Sequence, residues 1–535
     1  MKIFLKTFLF FVSISAFAQT EKANIIFIMT DDHATKAISS YGSVFNETPN
    51  IDRIANEGIL FNNCYVTNSI CGPSRAAILT GKLSHVNGVK GNIDVFDGSQ
   101  VTFPKLLRAA GYQTAIVGKW HLASEPTGFD FWSVLPGQGD YYNPDFIEKE
   151  GTHREEGYVT DLITDKALDW MSSRDKDKPF CLIYQQKAPH RNWMPALRHL
   201  ALYDDVEFPL PESLFDDYSN RGTAAKDQEM EIANHMYDIW DLKLASPEEL
   251  EDALVNIHIE ETLDPEELKE KDRIEANDKS RDLNKFLQVY KRLTPHQRTL
   301  WNQAYAKRRL EFRTLDLKGN ALVEWKYQQY MKDYLACVAS VDENIGRLFE
   351  YLESDNILDD TMIIYTSDQG FFLGEHGWFD KRFMYEESYQ MPLVIRYPKA
   401  IKAGTKSSAL AMNIDFAPTI LNIAGVEIPE AIQGRSLVPV FENDGVIPKK
   451  WREATYYHYY DYPSWHSVKR HYGIRTKDYK LIHFYNDIDE WELYDMKKDP
   501  KEMFNVYGER KYRKVQKDLK KLLRNVQKSY GENQS

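Results

Sequence analysis

Residues 23–32, which read ANIIFIMTDD, decide the fold: a continuous apolar run ends on two adjacent carboxylates, Asp31 and Asp32. Apolar, β-branched runs of this length are typical of strands that are buried on both faces of a sheet. We therefore predict a strand over residues 23–29. In open α/β sheets the chemistry lies beyond the carboxyl ends of the strands, and the acidic pair follows at that end.

Further strand-like runs alternate with helical patterns along the chain. The predicted strands span residues 114–117, 180–185, 361–366 and 392–397, and the predicted helices span residues 75–79, 161–171 and 334–352. This alternation predicts an α/β fold in which helices pack on both faces of one sheet.

Two regions depart from that alternation. Residues 213–321 are rich in charged helical sequence and predict an insertion with solvated charge runs, for example after Pro247 and Pro265. Residues 441–535 combine Tyr-rich strands with a basic helix over about 510–530, which predicts a smaller α+β subdomain. The catalytic domain is then expected over residues 19–440.

The amino terminus has the layout of a secretory signal peptide. Residues 1–18 contain Lys2, an apolar stretch and the small-residue step Ala16-Phe17-Ala18. The apolar stretch is shorter than the roughly 20 residues that a membrane-spanning helix needs. We expect cleavage after Ala18, a periplasmic or secreted protein, and no other membrane span.

Composition excludes several classes of protein. The 535 residues include 67 Lys plus Arg and 80 Asp plus Glu, a net charge of -13, which excludes a non-specific nucleic-acid surface. A local basic pocket must therefore meet any anionic substrate. Four cysteines do not make a disulfide scaffold in a chain of this length, and we expect Cys64, Cys181 and Cys337 to be buried thiols.

Two acidic pairs follow predicted strands. Asp31 and Asp32 follow the first strand, and Asp368 with Gln369 follows the strand over 361–366. Adjacent carboxylates repel each other, so they either cap a helix or bind a cation. Carboxylate and amide oxygens are hard donors that suit Ca²⁺ or Mg²⁺. The two pairs at one sheet edge therefore predict a divalent-cation site.

Cys71 differs from the other cysteines. It begins the motif CGPSR over residues 71–75, in which Pro73 suits a first helical turn, so its sulfur is expected near a helix N-terminus that stabilises anions. Arg75 lies four residues further on and reaches the same helix end. A buried, inert thiol is the competing interpretation of Cys71.

Several cations and histidines also follow predicted strands. They are Lys119 and His121, Lys187 and His190, and His376 and Lys381. Each group alone is typical of a solvated strand end. Together, beside a metal with oxygen ligands, they predict a pocket for a tetrahedral anion.

In this order the motifs resemble those of the type I, formylglycine-dependent sulfatases of the alkaline-phosphatase-like superfamily. The matching stretches are DD at 31–32, CGPSR with LTG at 71–81, GKWH at 118–121, PH at 189–190 and SDQG at 367–370, followed by Lys381. Residues 492–505 resemble the C-terminal region of the same family. The resemblance implies an alkaline-phosphatase-like mixed sheet sandwiched by helices.

The resemblance also implies a nucleophile and a metal. A formylglycine-generating maturation enzyme would oxidise Cys71 to Cα-formylglycine, whose hydrated aldehyde supplies the attacking oxygen. Asp31, Asp32, Asp368, Gln369 and the modified Cys71 would bind one Ca²⁺. Gln369 departs from the Asn or His found in many relatives, although its amide carbonyl can still act as a ligand.

The resemblance further assigns roles in catalysis. Arg75 would orient the nucleophile, and Lys119 and Lys381 would bind sulfate oxygens. His190 would bind the sulfate or protonate the leaving oxygen. His121 would take the proton from the second hydroxyl of the nucleophile.

The implied substrate is a sulfated polysaccharide or one of its oligosaccharides. The stretch KAPHRNW over 187–193 resembles a variant found in glycan sulfatases, including those that act on N-acetylglucosamine 6-sulfate; an algal polysaccharide such as ulvan is the other candidate. His466, His471 and Arg475 lie in a stretch of aromatics and cations and are predicted sugar contacts. A Tyr-rich strand packed on the core is the alternative explanation of that stretch.

Two other functions stay open at the level of sequence. One is a formylglycine-dependent phosphonate or phosphodiester hydrolase. The other is a non-catalytic protein that binds sulfated glycans, although the intact CGPSR motif favours an enzyme.

Overall fold

The computed structural model describes residues 22–256 and 279–532. The predicted signal peptide and the charge run after Pro265 lie outside the described residues. The strands are β1 (Asn24–Thr30), β2 (Ile59–Phe61), β3 (Cys64–Tyr65), β4 (Gln113–Lys119), β5 (Phe131–Leu135), β6 (Asp145–Glu148), β7 (Gly151–Arg154), β8 (Phe180–Gln185), β9 (Thr361–Ser367), β10 (Phe372–Leu373), β11 (Phe379–Asp380), β12 (Leu393–Arg396), β13 (Thr405–Ser407), β14 (Ala411–Met412), β15 (Ala454–Tyr459), β16 (His471–Thr476), β17 (Tyr479–Phe484) and β18 (Glu490–Asp495).

The α-helices within the described ranges are α1 (Pro49–Asn56), α2 (Cys71–Thr80), α3 (Ser84–Asn87), α4 (Phe103–Ala109), α5 (Val159–Ser173), α6 (Thr223–Asp227), α7 (Pro247–Asn256), α8 (Lys279–Tyr290), α9 (Pro295–Ala304), α10 (Ala306–Thr314), α11 (Asn320–Ser354), α12 (Glu386–Tyr389), α13 (Phe416–Ile423), α14 (Val438–Phe441) and α15 (Arg513–Ser529).

A ten-stranded mixed sheet forms the centre of the fold, in the order β13-β2-β12-β9-β1-β8-β4-β5-β6-β7. Strand β1 lies in its middle and pairs in parallel with β8 and β9. Beyond β9, strand β12 pairs antiparallel with both β9 and β2, and the edge strand β13 pairs in parallel with β2. The carboxyl ends of β1, β4, β8 and β9 therefore lie along one edge, and the predicted α/β class is confirmed.

Burial on both faces explains why β1 is apolar throughout. Ile25, Phe27 and Met29 join the core on one face, and Ile26 and Ile28 join the core on the other. Helices α4 and α13 cover the first face, whereas α1, α5 and α11 cover the second. A polar residue within this run would have no solvent to face.

The C-terminal part contains a separate four-stranded antiparallel sheet, β15-β16-β17-β18. One face of this sheet packs against α15, where Leu519 and Leu523 contact the cluster that contains Ile474 and Leu481. The predicted strand over 479–484 coincides with β17, and α15 begins three residues after the start of the predicted basic helix. A sheet covered by one helix agrees with the predicted α+β subdomain.

The charged region over 213–321 differs from the prediction of solvated faces. Helix α7 is largely exposed, but Trp301 and Tyr305 on α9 and beyond it are buried in the core. Arg308 of α10 forms a buried pair with Asp333 of α11 (Nη1–Oδ2 2.8 Å). Part of this region is therefore packed into the protein, and the buried charge of Arg308 is neutralised by Asp333 of α11.

No helix within the described ranges combines the length and the apolar character that crossing a membrane requires. All four cysteines are buried and free, as predicted for Cys64, Cys181 and Cys337.

Candidate active site

Three carboxylates converge where β1 and β9 end. Oxygen atoms of Asp31, Asp32 and Asp368 lie within 4.8 Å of one another, and all three side chains are fully buried. The parallel pairing of Thr30 with Ser367 sets this arrangement because it brings the two acidic pairs to the same level of the sheet. The backbone N–H of Asp32 also donates to Asp368 Oδ1 (3.2 Å).

The electrostatics of these carboxylates favour a cation. Burial and the neighbouring carboxylates Asp31 and Asp368 raise the pKa of Asp32 to about 7, even though Lys381 opposes the rise. Burial and Asp31 likewise raise the pKa of Asp368 to about 6. For Asp31 burial is outweighed by Lys119 and other cations, so its pKa lies well below its ordinary value. Like charges this close are stabilised by a bound cation.

Gln369 completes a set of oxygen donors. Its Nε2 lies 2.5 Å from Asp32 Oδ1, whereas its Oε1 is buried and has no hydrogen-bond partner. A buried carbonyl oxygen without a donor costs free energy unless a water or an ion meets it. Three carboxylates and this carbonyl therefore fit a hard divalent cation such as Ca²⁺.

Cys71 lies beside the carboxylates at the N-terminus of α2. Its Sγ is 3.4 Å from Asp31 Oδ1 and 3.8 Å from Gln369 Nε2, and the residue is fully buried. Burial and the Asp31 charge raise the pKa of the Cys71 thiol to about 12. The unmodified side chain is thus a neutral thiol and a poor nucleophile.

Helix α2 is fixed to the end of β9 through its first turn. Arg75 Nη2 and Nε contact Asp368 Oδ2 at 2.9 and 3.2 Å, and Arg75 Nη1 donates to the carbonyl oxygen of Lys119 at 2.6 Å. The Ser74 hydroxyl donates to the carbonyl oxygen of Asp368. These bonds place Cys71 against the carboxylates, because Ser74 and Arg75 lie within about one helical turn of Cys71.

Two lysines contact the carboxylates of the site. Lys119, the last residue of β4, contacts Asp31 Oδ2, and Lys381 Nζ lies 2.6 Å from Asp32 Oδ2. Both lysines are buried. Lys119 Nζ also donates to Gln138 Oε1 (2.5 Å), a residue that the sequence analysis missed. Two fixed ammonium groups beside the nucleophile suit the oxygens of a sulfate group.

His190 and His121 supply imidazoles at the same place. His190 Nδ1 lies 2.6 Å from the carbonyl oxygen of Arg191, so Nδ1 carries the proton and Nε2 faces Asp32 Oδ2 at 3.7 Å. His121 Nδ1 is buried without a partner. Burial and the charge of Lys119 hold the pKa of each imidazole well below its ordinary value, so both are neutral bases.

Two residues of the sequence-based cluster lie outside this convergence. His376 is buried beside Asp216 (Nδ1–Oδ2 3.1 Å). Lys187 donates to the carbonyl oxygen of Gln138 (3.2 Å) and lies over the ring of Tyr141. Both side chains therefore have partners outside the convergence, although His376 Nε2 is buried without a hydrogen-bond partner among the described residues.

Of the three predicted sugar contacts, only His466 lies near the site. Its Nε2 is 3.2 Å from Asp380 Oδ2, next to Lys381. His471 is enclosed in the C-terminal sheet, where its Nε2 accepts from the backbone N–H of Met384 (3.1 Å). Arg475 pairs with Glu386 (Nε–Oε1 3.2 Å). His471 and Arg475 therefore stabilise the packing of this sheet, which corrects the prediction that they contact sugar.

One residue that positions the nucleophile was missed because it lies in no motif. Asn92 Oδ1 accepts from the backbone N–H of Gly72 at 2.9 Å, directly after Cys71. Asn92 lies within the turn over residues 91–94, and nothing in its local pattern distinguishes it from an ordinary turn residue.

Family models match almost the entire described chain. The sulfatase model matches residues 23–426, and the model of the N-sulphoglucosamine sulphohydrolase C-terminal region matches residues 374–529. Together they cover the large sheet, the convergence of carboxylates and the C-terminal sheet.

Individual relatives agree with the family models. The chain is 59% identical over 519 residues to an N-acetylglucosamine-6-O-sulfatase of Bacteroides thetaiotaomicron, covering 96% of this chain and 88% of the relative. It is 25% identical over 462 residues to the N-acetylglucosamine-6-sulfatase of Homo sapiens, covering 81% and 67%. The structure of BT4656 in complex with its substrate D-glucosamine-2-N,6-O-disulfate matches with a TM-score of 0.90 and 58% identity, covering 96% of this chain and 99% of that chain.

Proposed function

Because this chain belongs to the sulfatase family and is a sulfuric ester hydrolase, we propose that it removes the 6-O-sulfate of glucosamine units in sulfated glycans. The single observation that carries the chemistry is the convergence of three carboxylates, Cys71 and two lysines at one sheet edge. The choice of sugar is supported by a relative of 59% identity that is an N-acetylglucosamine-6-O-sulfatase and by the disulfated glucosamine bound to BT4656.

The site requires a metal and a modified nucleophile in this proposal. Asp31, Asp32, Asp368 and Gln369 would hold Ca²⁺, which lowers the pKa of the nucleophile and neutralises sulfate oxygens when bound. Oxidation of Cys71 by a formylglycine-generating enzyme would supply a gem-diol in place of the thiol. A thiol cannot substitute, because it has no second hydroxyl with which to expel the sulfate.

The remaining side chains either bind the sulfate group or transfer protons. Lys119 and Lys381 bind the sulfate oxygens, since their ammonium groups already lie against the carboxylates at this edge. His121 accepts a proton as a neutral base. His190 directs its unprotonated Nε2 into the site; this nitrogen would take up the proton released by the attacking hydroxyl and pass it to the leaving oxygen of the sugar. Arg75 orients the nucleophile through Asp368.

The compartment belongs to the proposal as well. The signal-peptide layout of residues 1–18 supports export to the periplasm or the exterior, where sulfated glycans are met. Fractionation of cells that express the full chain, followed by amino-terminal sequencing, tests this. A protein that begins at Gln19 outside the cytoplasm is expected, and an unprocessed cytoplasmic chain would contradict it.

A glycan panel tests the substrate. Sulfate release is measured with N-acetylglucosamine 6-sulfate, glucosamine-2-N,6-O-disulfate, a 3-O-sulfated isomer, ulvan oligosaccharides and a phenyl phosphonate monoester. We expect release from the two 6-sulfated glucosamines, with kcat/KM at least about a hundredfold above that for the others. Preference for ulvan or for the phosphonate would overturn the proposed substrate. The Cys71→Ala protein, prepared in the same way, is the control, because any sulfate that it releases comes from a contaminating enzyme.

A further inference from the structure

The side chains of Trp465 and Lys285 contact each other, and Lys285 has no carboxylate partner among the described residues. Trp465 belongs to the 3-10 turn Trp465–Ser467 and is 39% exposed. Lys285, on helix α8, lies with its Nζ 4.0 Å from the centroid of the Trp465 ring. None of the catalytic roles proposed above uses either side chain.

Both side chains are tied to the active site through short chains of contacts. His466, the neighbour of Trp465, contacts Asp380, and Asp380 precedes Lys381 of the sulfate site. The second chain of contacts starts at Lys285, whose Nζ lies 5.3 Å from the centroid of the Tyr237 ring. Arg191 Cζ lies 5.2 Å from the centroid of the same ring. Arg191 directly follows His190. The ring and the lysine are therefore each connected, through these contacts, to the chain neighbour of a site residue: Asp380 before Lys381, and Arg191 after His190.

The carboxylates nearest to Lys285 are engaged elsewhere. Asp241 forms a bidentate pair with Arg191 (2.7 and 2.6 Å). Asp282 accepts from the backbone N–H groups of Ile239 and Trp240, at 2.7 Å each. Within residues 22–256 and 279–532 no carboxylate comes within 4.0 Å of Lys285 Nζ. Keeping a half-buried lysine charged is costly when no anion among the described residues meets it, and a ligand that supplies an anion removes this cost.

The positive charges around Lys285 also favour a bound anion. Burial together with the positive charges of Arg281 and Arg191 lowers the pKa of Lys285 to about 6. A bound anion would reverse this effect because it favours the charged ammonium form. An indole ring beside an ammonium group also suits a sugar, whose C–H face packs on the ring while its anionic substituent meets the cation.

We infer that Trp465 and Lys285 form a subsite for a second anionic group of the glycan, next to the site for the scissile sulfate. This inference rests on the proposed function. The ligand is a sugar that carries an anionic substituent in addition to the 6-sulfate. Two sources supply such a group: an N-sulfate on the same glucosamine, or the carboxylate of a neighbouring uronate.

Steady-state kinetics with three substrates tests the subsite. They are N-acetylglucosamine 6-sulfate, glucosamine-2-N,6-O-disulfate, and a disaccharide of a uronate and N-acetylglucosamine 6-sulfate. In Lys285→Gln we expect KM to rise about tenfold for one of the two doubly anionic substrates and less than about twofold for the singly anionic one. The substrate that responds identifies the source of the anion. Lys285→Arg is expected to restore most of the affinity.

A matched variant controls for loss of a lysine–tryptophan contact. Lys520 Nζ lies 3.8 Å from the centroid of the Trp491 ring in the C-terminal sheet. Lys520→Gln therefore removes a lysine–tryptophan contact of the same kind at a place that the proposal does not involve. Its KM values should equal those of the wild type for all three substrates. Raised ionic strength should also reduce the difference in KM between Lys285→Gln and the wild type for the doubly anionic substrate that responds, because salt screens a partly exposed charge.

Binding separates this inference from the proposed function. Calorimetric titration of the Cys71→Ser protein with the three saccharides, with and without Lys285→Gln, measures affinity without turnover. A wild type that hydrolyses none of them refutes the proposed substrate, and the titration still tests the subsite. Equal losses of affinity for singly and doubly anionic ligands, or no loss in Lys285→Gln, would overturn the inference.

Discussion

Arg75 and Asp368 are 293 residues apart in the chain, yet Arg75 Nη2 lies 2.9 Å from Asp368 Oδ2 in a fully buried ion pair. The arginine lies on α2 one turn after Cys71, and the carboxylate follows β9. One pair therefore fixes the nucleophile to the carboxylates that are proposed to bind the metal.

Removing this arginine should destabilise the protein strongly. In Arg75→Met we expect the free energy of unfolding in EDTA to fall by about 3–5 kcal/mol, because Asp368 is left buried and uncompensated. Urea unfolding measures this value. The matched control is Arg108→Met, whose exposed pair with Asp130 should contribute less than about 1 kcal/mol. Equal effects in the two variants would contradict the account.

Calcium should stabilise the folded protein. Binding to the native state alone adds about 2.7 kcal/mol at a free concentration one hundred times the Kd. We expect Ca²⁺ to raise the Tm of the wild type after EDTA treatment and to have little effect on Asp368→Asn. The control is Asp333→Asn, whose carboxylate pairs with Arg308 and Lys243 and is not one of the proposed metal ligands; its response to Ca²⁺ should match the wild type. A similar loss of response in both variants would exclude the assigned ligands.

His190 should contribute to turnover without supporting the fold. We expect His190→Ala to lower kcat by about 10²–10⁴-fold, the range of general acid–base catalysis, while the Tm changes little. His153→Ala removes an exposed imidazole that contacts Glu155 and should retain wild-type kcat. A loss of kcat below threefold in His190→Ala would remove this residue from the proposed chemistry.

Arg475 should act on stability and not on substrate affinity. Arg475→Gln breaks its bond to Glu386, which Lys480 still partly neutralises, so we expect a loss of about 1–3 kcal/mol. The KM for N-acetylglucosamine 6-sulfate should remain at the wild-type value. A raised KM with unchanged urea stability would instead favour the original prediction of a sugar contact.

The sequence predicted the centre of the site because strand ends carry its ligands. An apolar run followed by acidic residues locates Asp31 and Asp368 at one sheet edge without knowledge of the full strand order. The prediction failed where two explanations share one pattern. His471 lies in an aromatic strand, and aromatic strands occur both in cores and in sugar sites, so only the contacts distinguish them.

Other residues left no signal that local sequence could provide. Gln138 binds Lys119 from a turn after β5, and Asn92 holds the first turn of α2 from a loop; each depends on long-range packing. Lys285 was hidden in a charge-rich region in which solvated lysines are expected. Its distinguishing property is the absence of a carboxylate partner in the described part of the chain, which only coordinates can show.

The most direct test of the central claim compares turnover with the state of Cys71. The protein is produced with increasing amounts of a formylglycine-generating enzyme, mass spectrometry gives the modified fraction of the peptide that contains Cys71, and sulfate release from N-acetylglucosamine 6-sulfate is measured for each preparation. We predict that the rate rises in proportion to the modified fraction and is absent in Cys71→Ala. Full activity from protein whose Cys71 is entirely thiol would contradict the account.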